Sequence, residues 1–256
     1  MVIAVANNKG GVGKTTIALN LAAALAAPRR RVLLVDLDSQ AAASVWSGIS
    51  RVHLRPSAAS CLLDKYPVLK AVRPTPTPNL DILPGSVELA NADVALSHVR
   101  GREVALHRML ERLKAPYDLI VLDCAPSLSL LGVNALVAAD AILVPVVAEP
   151  LGYDALVAFA GHVERVRARM DSRARLLGIV LSMIDRRRRD AREMAERIRA
   201  EYRDAVFHTE IAWAAEVADA PARAQSIMTL APRSASADAF RRLAGEVLQR
   251  IPSIRR

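Results

Sequence analysis

Seven consecutive residues, Gly10-Gly11-Val12-Gly13-Lys14-Thr15-Thr16, constrain the fold more than any other part of the chain. A short apolar run, residues 2–6, precedes them and a helical pattern follows, which sets the glycines on a strand–loop–helix turn. Glycine lets successive main-chain N–H groups curl toward one point with no Cβ in the way. The helix opening after the loop adds the positive end of its dipole. A lysine and a hydroxyl closing such a loop suit a polyphosphate and its cation, with Lys14 on the β- and γ-phosphates and Thr15 on Mg2+. The general pattern G-x-x-x-x-G-K-[ST] has glycine where this chain has Asn8, but Gly10, Gly11 and Gly13 keep the backbone free to turn. Residues 9–16 are therefore expected to hold a nucleoside triphosphate.

A phosphate loop of this kind needs a parallel sheet behind it, and the remaining pattern supplies one. Residues 31–36, 80–83, 118–123, 141–147 and 176–183 read as buried strands. Residues 16–27, 103–113, 190–202 and 238–251 read as helices. Residues 55–84 read as irregular, with the strand at 80–83 inside them, and Pro74, Pro76 and Pro78, alternating with threonine, mark a surface loop or a short extended segment. The expectation is an α/β fold, a doubly wound and mainly parallel sheet flanked by helices, in one P-loop NTPase domain over residues 1–256. A hydrophobic content of 52% suits a well-buried core and excludes disorder. Cys61 and Cys124 make neither a disulfide framework nor a zinc pair, which suits a reducing cytosol. The apolar stretch at 133–148 is broken by Asn134, Asp140 and Pro145 and is too short to span a bilayer. No charged segment precedes residues 1–6, so they do not read as a signal peptide.

Two acidic strand ends accompany the loop. Val35-Asp36-Leu37-Asp38-Ser39-Gln40 follows one strand, and an apolar run ending in Asp123 is followed by Cys124-Ala125-Pro126-Ser127-Leu128. Together with Lys9 in front of the glycines, these segments resemble the ParA/MinD family of deviant Walker-A ATPases, closest to short ParA-type partitioning ATPases. That family reads D-x-D-P-Q and D-C-P-P-S-L at the two strand ends; Ser39 replaces the first proline. The resemblance implies that Asp38 orients the attacking water near Mg2+ and that Asp36 shapes the turn. It implies that Asp123 holds a magnesium-bound water and that Met183 lies in the segment beside the adenine. It also implies that Lys9 crosses a dimer interface to the phosphates bound by the other subunit. A lysine adding positive potential to its own site is the other reading of Lys9. Lys9, Lys14 and Asp38 are the catalytic candidates, and ATP and Mg2+ the cofactors. Phosphoryl transfer asks for an in-line water, Mg2+ and cations rather than covalent chemistry, and slow turnover fits the lack of a dedicated base.

The net charge of +9 favours an anionic partner, although an arginine-rich composition alone would give it too. Residues 161–203 hold thirteen arginines against seven acidic residues. On a helical wheel Ala191, Met194, Ala195, Ile198 and Tyr202 gather on a core face, and Arg188, Arg192, Arg199 and Arg203 form a stripe beside it. Asp190, Glu193, Glu196 and Glu201 fall mostly elsewhere, and that separation favours a phosphate-tracking stripe, with Arg187 included, over a solvated face of mixed ion pairs. DNA-binding members of the family often read I-P-R-N-V-R-L where this chain has Ile211-Ala212-Trp213-Ala214-Ala215-Glu216-Val217, so both arginines of that pattern are absent. Residues 238–251 have an apolar face that resembles the family's terminal core helix more than a MinD-like membrane helix, and the basic tail 252–256 is short. The resemblance thus implies a homodimer formed on ATP binding, nonspecific DNA, an activating ParB-like adaptor, and a cytoplasmic, nucleoid-associated protein. A MinD-like positioning ATPase on membrane is the alternative.

Overall fold

The computed structural model describes residues 1–170 and 172–254. The strands are β1 (Val2–Val5), β2 (Val32–Leu37), β3 (Arg73–Pro74), β4 (Leu80–Leu83), β5 (Leu119–Cys124), β6 (Ala141–Val147), β7 (Arg175–Ile184) and β8 (Ile211–Ala212). They form one sheet in the order β3-β4-β2-β5-β1-β6-β7-β8. Every pairing is parallel except β3 with β4. Alternate side chains feed two separate cores. Val2, Ala4, Leu33 and Val35 join one; Ile3, Val5, Val32 and Leu34 join the other. That split is what a sheet covered by helices on both faces requires of a period-two backbone.

The helix Lys14–Leu25 lies on the second face, where Ile17, Leu21 and Leu25 pack with Phe240, Leu243 and Val247 of the helix Ala235–Ile254. The apolar face of that terminal helix, including Ala244 and Ile251, is therefore buried in the core. Arg255 and Arg256 of the basic tail lie outside the described residues. Among the described residues no helix is long and apolar enough to cross a membrane.

Several elements differ from the sequence expectation. The segment 55–84 is not irregular throughout: it contains the helices Ala58–Leu63 and Val68–Ala71, while β3 is a short extended piece at the first of the prolines. Ser57 starts the first of these with a capping box, its side chain accepting from Ser60 N–H while Ser60 returns the bond. Six residues are too few to show a helical period, so only the cap carried the signal. The helices Leu130–Ala138 and Pro150–Met170 were not anticipated either. The first merges into a run of almost uniform apolarity with β6, which hides its period. The second begins at Pro150, where a proline's missing N–H costs nothing.

Candidate nucleotide-binding site

Register brings the acidic strand ends and the glycine loop to one edge of the sheet. Asp36 of β2 stands opposite Asp123 of β5, and Asp123 stands opposite Val5 of β1, the last strand residue before the loop. All three strands end on the same side, at the carboxyl edge where open α/β sheets place ligands.

The loop itself is pinned from both flanks. Asn7 is buried and its amide donates to Pro145 O at 2.8 Å on β6, while its carbonyl accepts from Lys9 N–H. Ser182 Oγ of β7 donates to Val12 O at 2.9 Å. Gly11 and Gly13 have φ of 73° and 80°, the left-handed region that a side chain would strain. Gly13 is also the N-cap of the helix Lys14–Leu25, and no side chain caps it. The first-turn N–H groups are left for an anion. Lys14 is 7% exposed, and its Nζ donates to Lys9 O at 2.7 Å across the loop. Burial lowers its pKa, opposed by the charges of Asp123, Cys124 and Asp38.

The two aspartates that meet at the sheet edge differ in their bonding. Asp36 is fully buried and accepts from Asp38 N–H, Ser44 N–H and Ser44 Oγ–H. Burial raises its pKa to about 6, against those hydrogen bonds. Asp123 is equally buried, yet neither carboxylate oxygen has a hydrogen-bond partner. Burial, then the charge of Asp36, pushes its pKa well above the usual carboxylate range; Thr15 stands near enough to favour the charged form without closing a hydrogen bond. A buried carboxylate with both oxygens unpartnered suits a cation or the water that a cation binds. Among the described residues no three His, Cys, Asp or Glu side chains cluster to hold a metal. A divalent ion here would draw on Thr15, carboxylate and phosphate oxygens together, as Mg2+ does. Asp38 is partly exposed, and its Oδ1 accepts from Gln40 N–H at 2.9 Å within its own turn.

Lys9 has a partner that sequence reading missed. Its Nζ lies 2.5 Å from Glu149 Oε1, just beyond β6. The usable signal was local, an acidic residue directly after a buried strand. Met183 sits at a φ of 52°, with its methyl packed over Gly13. Beside it a slot of about 90 Å³ is lined by Gly13, Thr16, Met183, Ala212, Trp213 and Val217. Trp213 is 62% exposed there.

The arginines begin just past the carboxyl end of β7, at this same edge, and continue along the helix Arg189–Tyr202. Ala191, Ala195 and Ile198 are buried, and Met194 and Tyr202 pack against the core, matching the expected face. The expected separation of charges does not occur. Arg187 is chelated by Asp185, Arg188 by Asp190, and Arg189 pairs with Glu193. Long guanidinium arms reach carboxylates two residues away at the helix start, which an ideal wheel does not represent. Arg192 donates to Arg186 O. Arg199 is engaged structurally, donating to Phe207 O and His208 O and pairing with Glu210, which also holds Arg186. Arg203 ends the helix at a φ of 46°.

A family model described as an AAA domain matches residues 1–176. The chromosome partitioning protein ParA of Caulobacter vibrioides (strain NA1000 / CB15N) is 38% identical over 251 residues, covering 97% of this chain and 94% of that protein. A solved chain from Mycobacterium smegmatis, described as cobyrinic acid a,c-diamide synthase with bound ATP analogue and magnesium, is 31% identical. It has a TM-score of 0.85 and covers 98% of this chain and 96% of its own. The cell division ATPase MinD of Pyrococcus furiosus is 25% identical with a TM-score of 0.78, covering 97% and 98%.

Proposed function

The chain belongs to the ParA/MinD family of P-loop ATPases, and from that premise we propose that it is a ParA-type partitioning ATPase that binds and hydrolyses Mg2+-ATP. The observation that carries the nucleotide reading is the buried, doubly unpartnered carboxylate of Asp123 set beside an uncapped glycine-loop helix. In this reading Lys14 leaves Lys9 O for the β- and γ-phosphates, and loop N–H groups hold the remaining phosphate oxygens. Thr15 would hold Mg2+ and Asp123 a water bound to it, and the ion when bound would neutralise charge on the phosphates. Asp38 turns from Gln40 N–H to orient the attacking water. The purine lies by Met183, Thr16 and Trp213. Lys9 exchanges Glu149 for the nucleotide of a second subunit, so that ATP binding drives a homodimer.

An Asp38→Ala variant is expected to keep the ATP-bound dimer and lose turnover by about 100-fold or more, as for loss of a group that acts only in the transition state. Sizing and phosphate release on the same sample check this; normal hydrolysis moves the water-orienting role elsewhere.

The ATP-bound dimer is proposed to bind DNA without sequence preference and to release it when a ParB-like adaptor stimulates hydrolysis, in the cytoplasm and on the nucleoid. Arg192 and Arg203 are exposed candidates, and so are Arg187 and Arg188, 87% and 61% exposed by side chain. The ion pairs of the last two with adjacent carboxylates are solvent-exposed and weak, so phosphates can displace them. Replacing Arg187, Arg188 and Arg192 by Glu is expected to weaken ATP-dependent DNA binding at least ~10-fold and to flatten its salt dependence by about one unit per lost contact. A gel-shift titration at several salt concentrations, with sizing of the complex, tests dimer and DNA together. An unchanged titration returns these arginines to a solvated face. The membrane alternative has less support, because the apolar face of the terminal helix is in the core.

A further inference from the structure

The loop that carries Asp38 is closed on a single buried carboxylate. Asp36 Oδ1 accepts from Asp38 N–H at 3.1 Å, and its Oδ2 accepts from Ser44 N–H at 2.9 Å and Ser44 Oγ–H at 2.6 Å. Both ends of the segment 38–44 are therefore tied to one side chain. Ser44 Oγ in turn accepts from Gly85 N–H at 2.9 Å, just after β4. A continuous line of hydrogen bonds runs from Gly85 through Ser44 and Asp36 to the backbone of Asp38.

Gly85 also touches this loop directly. A Cβ on it would fall 2.8 Å from Asp36 Cγ and Oδ1 and 2.9 Å from Asp38 O. Its φ lies outside the positive range, so close approach and not turn geometry is what requires glycine here. The backbone around it is anchored from outside. Pro84 O accepts from Ala58 N–H at 2.7 Å, and Ser86 Oγ lies 2.8 Å from Ser57 Oγ at the cap of the helix Ala58–Leu63. Gly85 thus presses the Asp36–Asp38 segment from a fixed base, and Ser44 pulls it from the other end.

We propose that Ser44 and Gly85 are positioning residues for Asp38, setting where its carboxylate can hold the attacking water while touching neither nucleotide nor Mg2+. This rests on the ATPase reading above. A misplacement of about 1 Å in a reacting group can cost ~100-fold in rate, and the clamp fixes the backbone on which Asp38 rides. The side-chain hydrogen bonds of Ser44 go to Asp36 and Gly85 and not to the glycine loop, so ATP affinity should not move with them.

Ser44→Ala is expected to lower kcat about 10- to 100-fold with ATP affinity within about twofold, and Ser44→Thr, which restores the hydroxyl, to recover most of the rate. Gly85→Ala should show the same split, by pushing the segment instead of releasing it. Amide hydrogen exchange of the wild type and Ser44→Ala adds a readout that needs no turnover. The amides of Asp38, Gln40 and Ala41 should exchange at least ~10-fold faster in the variant, while residues 14–25 keep their protection. Wild-type kcat in Ser44→Ala, or unchanged exchange at Asp38, overturns the proposal. So does an equal loss of rate, ATP affinity and protection that threonine fails to rescue, which marks a merely structural role. A wild type that hydrolyses no ATP sinks the ATPase reading instead, and the exchange result still decides whether the clamp exists.

Discussion

Lys14→Ala is expected to lose ATP binding altogether at concentrations that saturate the wild type, and to keep its fold. Truncating one partner of a buried, hydrogen-bonded charge pair costs about 2–5 kcal/mol, which is a loss of about 30- to several-thousand-fold in affinity. Lys14 falls at the strong end because the loop offers the phosphates backbone dipoles and, in Lys14, one buried ammonium. Its present bond, to Lys9 O, joins two residues of the same loop and holds no distant element. Burial already disfavours the ammonium, so its removal relieves a desolvation cost in the free protein. The melting temperature without nucleotide should therefore stay level or rise. ATP-dependent stabilisation should vanish, since only a ligand bound to the native state raises it. Lys14→Arg is expected to fail as well, because a planar fork does not fit a cradle sized for one ammonium. Calorimetric titration alongside thermal unfolding checks both halves. Retained affinity would remove the glycine loop from the phosphate-binding role.

How much could be read in advance followed from how local the information was. The strand before Gly10, the buried strand ending at Asp123 and the core face of the helix Arg189–Tyr202 each announce themselves within a few residues, by apolar runs or helical spacing. The helix Ala58–Leu63 was lost because it is short and capped by serine at both box positions. Asp36 and Asp123 could be named, but not their contrast: one is saturated by Asp38 and Ser44, the other has no partner. That difference depends on β2 lying against β5 in a particular register. The arginines misled because a helical wheel fixes directions and ignores reach. Arg188 finds Asp190, and Arg199 finds Glu210 beyond the helix end. Glu149 carried only a local sign, an acidic residue just past a buried strand; 140 positions separate it from Lys9, and the β1–β6 pairing brings the two segments together.

That last contact makes the role of Lys9 testable in two opposite directions. Lys9→Ala is expected to bind ATP with nearly wild-type affinity as a monomer, yet to lose the ATP-bound dimer and about 1,000-fold or more in turnover, in the range set by cations supplied in trans to phosphoryl transfer. Glu149→Gln is expected to do the reverse and promote the dimer. In the free chain Lys9 is held by Glu149, and the pair is partly exposed, at 23% and 40% by side chain. Such a pair contributes about 1 kcal/mol at most, or roughly fivefold in an equilibrium. Both protomers must break it before two lysines can cross, so the effect enters twice and the dimerisation constant should tighten by up to about 25-fold. Sedimentation with a non-hydrolysable ATP analogue over a range of protein concentrations measures this directly. If Lys9 instead serves only its own site, the pattern changes: Lys9→Ala weakens ATP binding by the monomer, and Glu149→Gln leaves the dimer unchanged. The two variants together therefore separate a lysine exchanged between subunits from one that stays at home, which neither could do alone.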